Sequence, residues 1–354
     1  MSITAIARPE IQALSAYDAA EQVDDTIRLN ANESPAISSI GDFRRPLNRY
    51  PEVRPKRLQA VLADRFGCSP EQLLVTRGSS EAIDLIIRSF CRAGVDTILT
   101  PSPSFSMYRH YAEVQGADVI EVATLAERDF EIDVDAILAA CKKTTKVVFV
   151  CTPNNPTGTP LPRAELLRLL DDRSDQSVVV VDEAYIEFSD QPSAIELLDQ
   201  YPNLMVLRTL SKALGFAGAR CGTVAGSSDV IALLSAVQAP YALATPVVEC
   251  VEDALAEDQM AIAAAAVAEV LIERSRLISA IADNSSISKI WPSEANFFLI
   301  RAVDALGIME HCKKHNVLLR HFGGDLSDCI RITVGSRSDN DALLHALDSF
   351  VGDK

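Results

Sequence analysis

Residues 147–182 read VVFVCTPNNPTGTPLPRAELLRLLDDRSDQSVVVVD. Two apolar runs, VVFVC (147–151) and VVVVD (178–182), flank a helical pattern, PRAELLRLLDD (162–172). Runs of β-branched residues without polar alternation predict strands covered on both faces, and the strand–helix–strand order predicts a parallel pair. The alternation continues outward on both sides. LLVT (73–76), TILT (97–100), MVLRT (205–209) and CGTVAG (221–226) read as further strands, and EAIDLIIRSF (81–90) as a helix. The expectation is a large α/β domain, residues 29–240, with a mainly parallel sheet and helices on both faces.

After residue 240 the pattern changes. Residues 246–282 read as one Ala-rich helical region with room for a single break. FFLIR (297–301), VLLRH (317–321) and IRITV (330–334) then alternate with helices near 303–315 and from about 338. This predicts a smaller α+β domain, residues 241–354. Residues 1–28 read as an arm outside the main sheet. No repeat or low-complexity linker interrupts the chain.

The 354 residues are 48% apolar, enough for a large core, and carry a formal net charge of −16. Such acidity argues against nucleic acid or an anionic membrane as partner, and means that any anionic ligand must be held by local positive groups. The opening MSITAIARPEIQALSAYDAAEQ lacks the basic start and apolar core of a signal peptide. No apolar run reaches the roughly 18 residues of a membrane span. The eight cysteines are scattered with no C-x-x-C pair, so neither a zinc site nor a disulfide framework is expected; reduced thiols in a cytoplasmic protein are the simplest reading.

In open α/β sheets ligands sit beyond the carboxyl ends of the strands. Polar clusters come after four of the predicted strands: Arg77-Gly78-Ser79-Ser80, Thr152 to Asn155, Asp182 to Tyr185, and Thr209-Leu210-Ser211-Lys212. A lone lysine is ordinarily a solvated surface residue. Lys212, however, has the hydroxyls of Thr209 and Ser211 beside it and Arg220 eight residues on, a set suited to a phosphate. Gly78-Ser79-Ser80 before a helix is by itself an ordinary N-cap, but its free N–H groups also favour a dianion. Asp182 either caps the segment after its strand or faces a cation, since a carboxylate ending an apolar strand is costly without one. Tyr185 is near enough to reach the same ligand, and Asn155 sits in a loop stiffened by Pro153 and Pro156. His311 and His315 share one helix face with no evident third metal ligand. The glycines of GFAGARCG (215–222) do not fit G-x-G-x-x-G, which opposes a nucleotide-dependent oxidoreductase.

The segments RGSSEAIDLI (77–86), PSFSMY (103–108), TPNNPTG (152–158), VDEAYIEF (181–188), TLSKALGFAGARCG (209–222) and RITVGSRSDN (331–340), in this order, resemble the fold-type I aminotransferases dependent on pyridoxal 5′-phosphate (PLP). LNANESP (29–35) and RYPE (49–52) narrow the resemblance to the histidinol-phosphate branch of histidine biosynthesis. It implies a seven-stranded sheet, a homodimer, and histidinol phosphate with glutamate or 2-oxoglutarate as substrates. It implies that Lys212 anchors PLP and carries the substrate α-proton, that Asp182 pairs with the pyridine nitrogen, and that Asn155 and Tyr185 bond the phenolic oxygen. Tyr108 is expected against the ring face. Ser79, Ser80, Thr209, Ser211 and Arg220 are expected on the phosphate, with Tyr50 reaching the phosphate in the neighbouring subunit. Tyr17, Asn32, Arg320 and Arg331 are expected on the substrate. The same machinery would serve aromatic amino acids or decarboxylate a phosphorylated amino acid. A PLP-binding protein without turnover is opposed by the intact set of Lys212, Asp182 and Arg331.

Overall fold

The computed structural model describes residues 2–15 and 43–350. Tyr17, Asn32 and the 29–35 segment lie outside the described residues.

The large domain carries a seven-stranded sheet: β1 (Leu73–Thr76), β2 (Thr97–Ser102), β3 (Asp118–Ala123), β4 (Thr145–Cys151), β5 (Val178–Asp182), β6 (Leu204–Thr209) and β7 (Gly222–Gly226). Their order is β1-β7-β6-β5-β4-β2-β3. The β3–β2–β4–β5–β6 ladder is parallel, whereas β7 runs antiparallel to both β6 and β1. The exception has a local cause. Parallel neighbours need a crossover, normally a helix; residues 210–221 form a loop with one short 3-10 turn, so the chain turns back on itself.

Strand periodicity builds the core. Val178 and Val180 of β5 face one layer, together with Val147 and Phe149 of β4 and Met205 and Leu207 of β6. Val179 and Val181 face the opposite layer with Val148, Val150, Leu204 and Val206. All four valines of β5 are fully buried, each contributing about 1.5–3 kcal/mol over an exposed position. Helices α3 (Ser79–Phe90), α4 (Met107–Gln115) and α7 (Ser228–Val237) cover the first face; α2 (Lys56–Phe66), α5 (Val134–Ala140) and α6 (Arg163–Asp172) cover the second. Residues 2–15 add no strand to the sheet but are anchored to it. Ile3 and Ala7 flank α1 (Pro9–Gln12) on its N-terminal side and are buried against the first layer, and the Arg8 amide donates to the Ser89 carbonyl.

The Ala-rich region is broken once, into α8 (Thr245–Ala254) and α9 (Glu257–Ile281). Leu243, Val248 and Val251 still pack into the second layer of the large sheet. The change of core therefore comes within α9, later than the change of composition at residue 240. The smaller sheet is antiparallel, ordered β10-β11-β9-β8: β8 (Ile287–Ile290), β9 (Phe297–Ala302), β10 (Arg320–His321) and β11 (Cys329–Thr333). Leu277 and Ile281 of α9 pack behind it with α10 (Ala305–Lys314) and α11 (Arg337–Asp348). Of the expected VLLRH strand only two residues pair.

Candidate active site

A cavity of about 1030 Å³ opens between the two sheets, beyond the carboxyl ends of β1, β2, β4, β5 and β6. The strand order explains its first component. Antiparallel β7 starts at the edge where its neighbours β1 and β6 end, which joins Ser79 and Ser80, Thr209 and Ser211, and Arg220. A Cβ on Gly222 would lie 2.9 Å from the Ser79 nitrogen and from the Arg208 carbonyl; a Cβ on Gly78, at φ +74, would lie 2.7 Å from Nη2 of Arg220. Only glycine permits this approach. The Ser211 amide donates to Thr209 Oγ1 at 3.2 Å, and the Thr209 hydroxyl donates to Ser211 Oγ at 3.0 Å. A helix N-terminus, two hydroxyls and a guanidinium form a cup for a dianion.

Asp182 lies at the end of β5, 2% exposed. Oδ2 accepts from the Tyr108 hydroxyl at 2.8 Å and Oδ1 from the Ala184 amide at 3.1 Å. Burial pushes its carboxyl up to about 6, against those two donors and the charge of Lys212. Lys212 is exposed on the cavity wall, its Nζ 5.7 Å from the centre of the Tyr185 ring. Burial, then Arg331 and Arg220, lower its pKa, while Asp182 opposes them. An amine so placed reaches its neutral, proton-accepting form more readily than a surface lysine.

Asn155, 9% exposed, links the two domains. Its Nδ2 donates to the Tyr185 hydroxyl at 3.2 Å, and its Oδ1 accepts from Nη1 of Arg331. Arg331 lies over the Phe297 ring at 5.0 Å, and burial lowers its pKa. Arg320 stands directly opposite it across the β10–β11 pair. Like charges in register repel, and among the described residues no carboxylate forms an ion pair with either. The pair is therefore a second place for an anion, on the small-domain side of the cavity.

Two of the expected site residues stand off the cavity wall. Tyr108 is not on the cavity wall. It is fully buried behind Asp182, with its ring stacked on Phe149 at 4.6 Å. Phe105, in the turn before α4, lines the cavity instead. Tyr50 is half-exposed and outside the lining of its own subunit's cavity, its ring stacked on Tyr241 at 4.7 Å; the role expected for it lies in the neighbouring subunit. Sequence reasoning also missed Arg301 and Phe322, both on the wall. Arg301 sits two residues after Leu299, the register partner of Arg331, and so shares its sheet face. The rings of His311 on α10 and of His315 at its C-cap lie 4.4 Å apart, tilted by 35°; among the described residues no three metal-binding side chains converge. Among those residues, too, no helix is long and apolar enough to cross a membrane.

The position of Asp182 sets a pH dependence. Its folded value of about 6 exceeds the ordinary 3.8. In the ligand-free protein it thus contributes stability that is fully present below about 3.8 and lost as pH rises through about 6. The gap of about two units corresponds to about 3 kcal/mol. Asp182→Asn removes this dependence. Its melting temperature relative to the parent should climb by a few degrees between about pH 4 and pH 7; a constant difference over that range, read by calorimetry, assigns the titration elsewhere.

The sequence profile of the aminotransferase class I and II family matches residues 15–347. The histidinol-phosphate aminotransferase of Xylella fastidiosa is 40% identical over 348 residues, covering 97% of this chain and 95% of that protein. The structure of histidinol-phosphate aminotransferase from Sinorhizobium meliloti in complex with pyridoxal-5′-phosphate superposes with a TM-score of 0.77 at 23% identity, covering 85% of this chain and 82% of that one. L-threonine-O-3-phosphate decarboxylase from Porphyromonas gingivalis shares the fold as well, with a TM-score of 0.73 at 24% identity over 86% of this chain and 91% of that one.

Proposed function

Because the chain belongs to the aminotransferase class I and II family, we propose that it is a PLP-dependent transaminase acting between histidinol phosphate and 2-oxoglutarate, yielding imidazole acetol phosphate and glutamate, within histidine biosynthesis. The observation that carries the substrate reading is the facing pair Arg320 and Arg331. One substrate offers a phosphate and no carboxylate, the other carboxylates and no phosphate. A planar guanidinium binds either.

The residues present fit PLP. The cup of Ser79, Ser80, Thr209, Ser211 and Arg220 suits its phosphate, and only glycines at 78 and 222 keep that cup open. Asp182, buried without an arginine of its own, suits the ring nitrogen; Asn155 and Tyr185 suit the phenolic oxygen. When bound, the cofactor supplies an aldehyde for amine exchange and a ring that accepts electrons from the substrate α-carbon.

The protein does the rest. Lys212 accepts the α-proton and returns it, a task its lowered pKa fits. Asp182 holds positive charge at the nitrogen. Arg331 orients the anionic end of the substrate, and Phe105 supplies an apolar wall beside Asp182. The same reading makes the enzyme a cytoplasmic homodimer, with Tyr50 offered to the phosphate in the partner subunit. The eight free cysteines, five of them buried, accord with a reducing compartment.

A substrate panel tests the assignment. The kcat/KM for histidinol phosphate should exceed that for phenylalanine by at least about tenfold, a difference of about 1.4 kcal/mol in transition-state binding. A higher value for phenylalanine assigns the chain to aromatic amino acids. Carbon dioxide release from threonine phosphate makes it a decarboxylase.

A further inference from the structure

We propose that Tyr108 is a positioning residue for Asp182: its hydroxyl holds the carboxylate ionised and aimed at the cavity. This rests on the assignment of Asp182 to the cofactor nitrogen, but its main test does not depend on any substrate.

The geometry around Tyr108 leaves its ring little freedom. It is 0% exposed, in the first turn of α4. One face stacks on Phe149 at 4.6 Å and 9° between planes, and Phe105 meets it edge-on at 5.6 Å. The only variable is the direction of the O–H bond. At 2.8 Å from Oδ2, the hydroxyl donates to Asp182. The other polar neighbour, Cys151, is a weak acceptor whose own thiol donates to the Pro153 carbonyl at 3.3 Å. A phenol can donate to a carboxylate oxygen readily, and less well to a carboxyl group carrying its own proton. The contact therefore favours the charged form.

The groups facing Asp182 come from four elements: Tyr108 from α4, Cys151 from β4, Ala184 and Tyr185 from the segment after β5, and Lys212 from the β6–β7 loop. Lys212 is the sole cation among them, and in turnover it is committed to the substrate. With burial opposing charge on Asp182, two neutral donors remain to hold it: the Ala184 backbone amide, which every residue but proline would keep, and Tyr108. The Tyr185 hydroxyl accepts instead from Asn155 Nδ2.

The test measures Asp182 directly. In cofactor-free protein carrying 13C-labelled aspartate, its carboxyl resonance is identified by its loss in Asp182→Asn. The parent should titrate near 6, and Tyr108→Phe, which removes one oxygen and keeps the ring stack, should move that midpoint upward. Incorporating 3-fluorotyrosine at position 108 keeps the shape and strengthens the donor, so the midpoint should move down; this decides the matter if the Phe variant does not fold. In the loaded enzyme Tyr108→Phe should lower kcat about tenfold with KM for the amino donor unchanged. In an Asp182→Asn background the same change should cost less than about twofold, because the two act as one unit. An unmoved Asp182 midpoint in the folded variants, or full multiplicativity of the two substitutions, overturns the proposal. Failure to turn over histidinol phosphate with the midpoint shifts intact overturns the substrate assignment instead.

Discussion

Lys212→Ala is expected to lower kcat by about 10⁴-fold while the phosphate cup keeps its ligand. Among the described residues beside Lys212, none is a ready substitute base. Asp182 is already bonded by Tyr108 and the Ala184 amide, and burial raises the pKa of Tyr185, so its phenol stays protonated. The cup residues Ser79, Ser80, Thr209 and Arg220 do not depend on the lysine side chain. Single-turnover spectroscopy with excess amino donor reads the rate. Borohydride treatment before mass spectrometry reads the attachment: the parent chain should gain the cofactor mass and the variant should not. Normal turnover in the alanine variant would refute the role of Lys212.

Arg331→Ala is the second large effect. Among the described residues no carboxylate pairs with its guanidinium, which touches Asn155 and two aromatic faces and is repelled by Arg320. Groups kept at that cost are ready for an anion. Loss of one partner from a desolvated charge pair typically removes about 2–5 kcal/mol, so kcat/KM should fall about 10²- to 10³-fold for histidinol phosphate and for 2-oxoglutarate alike. Cofactor occupancy should hold, because the phosphate cup stands on the opposite sheet. Lysine at 331 should rescue little, since a point charge does not reproduce the planar fork. An unchanged KM for 2-oxoglutarate would show that another residue receives the carboxylate.

The residues at the carboxyl edge of the large sheet were legible in the sequence for a definite reason. Lys212, Asp182 and Asn155 come at or just after apolar runs, and in a parallel sheet such positions fall on one edge. The buried strands announced themselves because a two-faced core leaves no polar alternation. The features that stayed hidden depend on tertiary context. β3, DVIEVA, is an edge strand with half-exposed and exposed residues, so its pattern is polar enough to pass for a loop. The reversal of β7 is set by the loop at residues 210–221. Phe105 and Tyr108 differ by three positions; which of them faces the cavity turns on α4 starting at Met107, which carries Tyr108 beneath β4 and leaves Phe105 in the preceding turn. Arg301 needed the β9–β11 register, which FFLIR alone does not reveal.

The place of β7 between β1 and β6 bears on how the chain is made. β1 is complete at Thr76, yet its sheet neighbour among the described residues starts at Gly222, 146 residues later. At roughly 5–20 residues per second on the ribosome, that interval lasts about 7–30 s. Through it the edge Leu73–Thr76 has no strand to pair with, and the anion cup has no floor. A nascent chain therefore cannot recruit its cofactor early, and the vitamin-derived ligand acts on the finished architecture, rewarding completion of the longest-range pairing in the sheet.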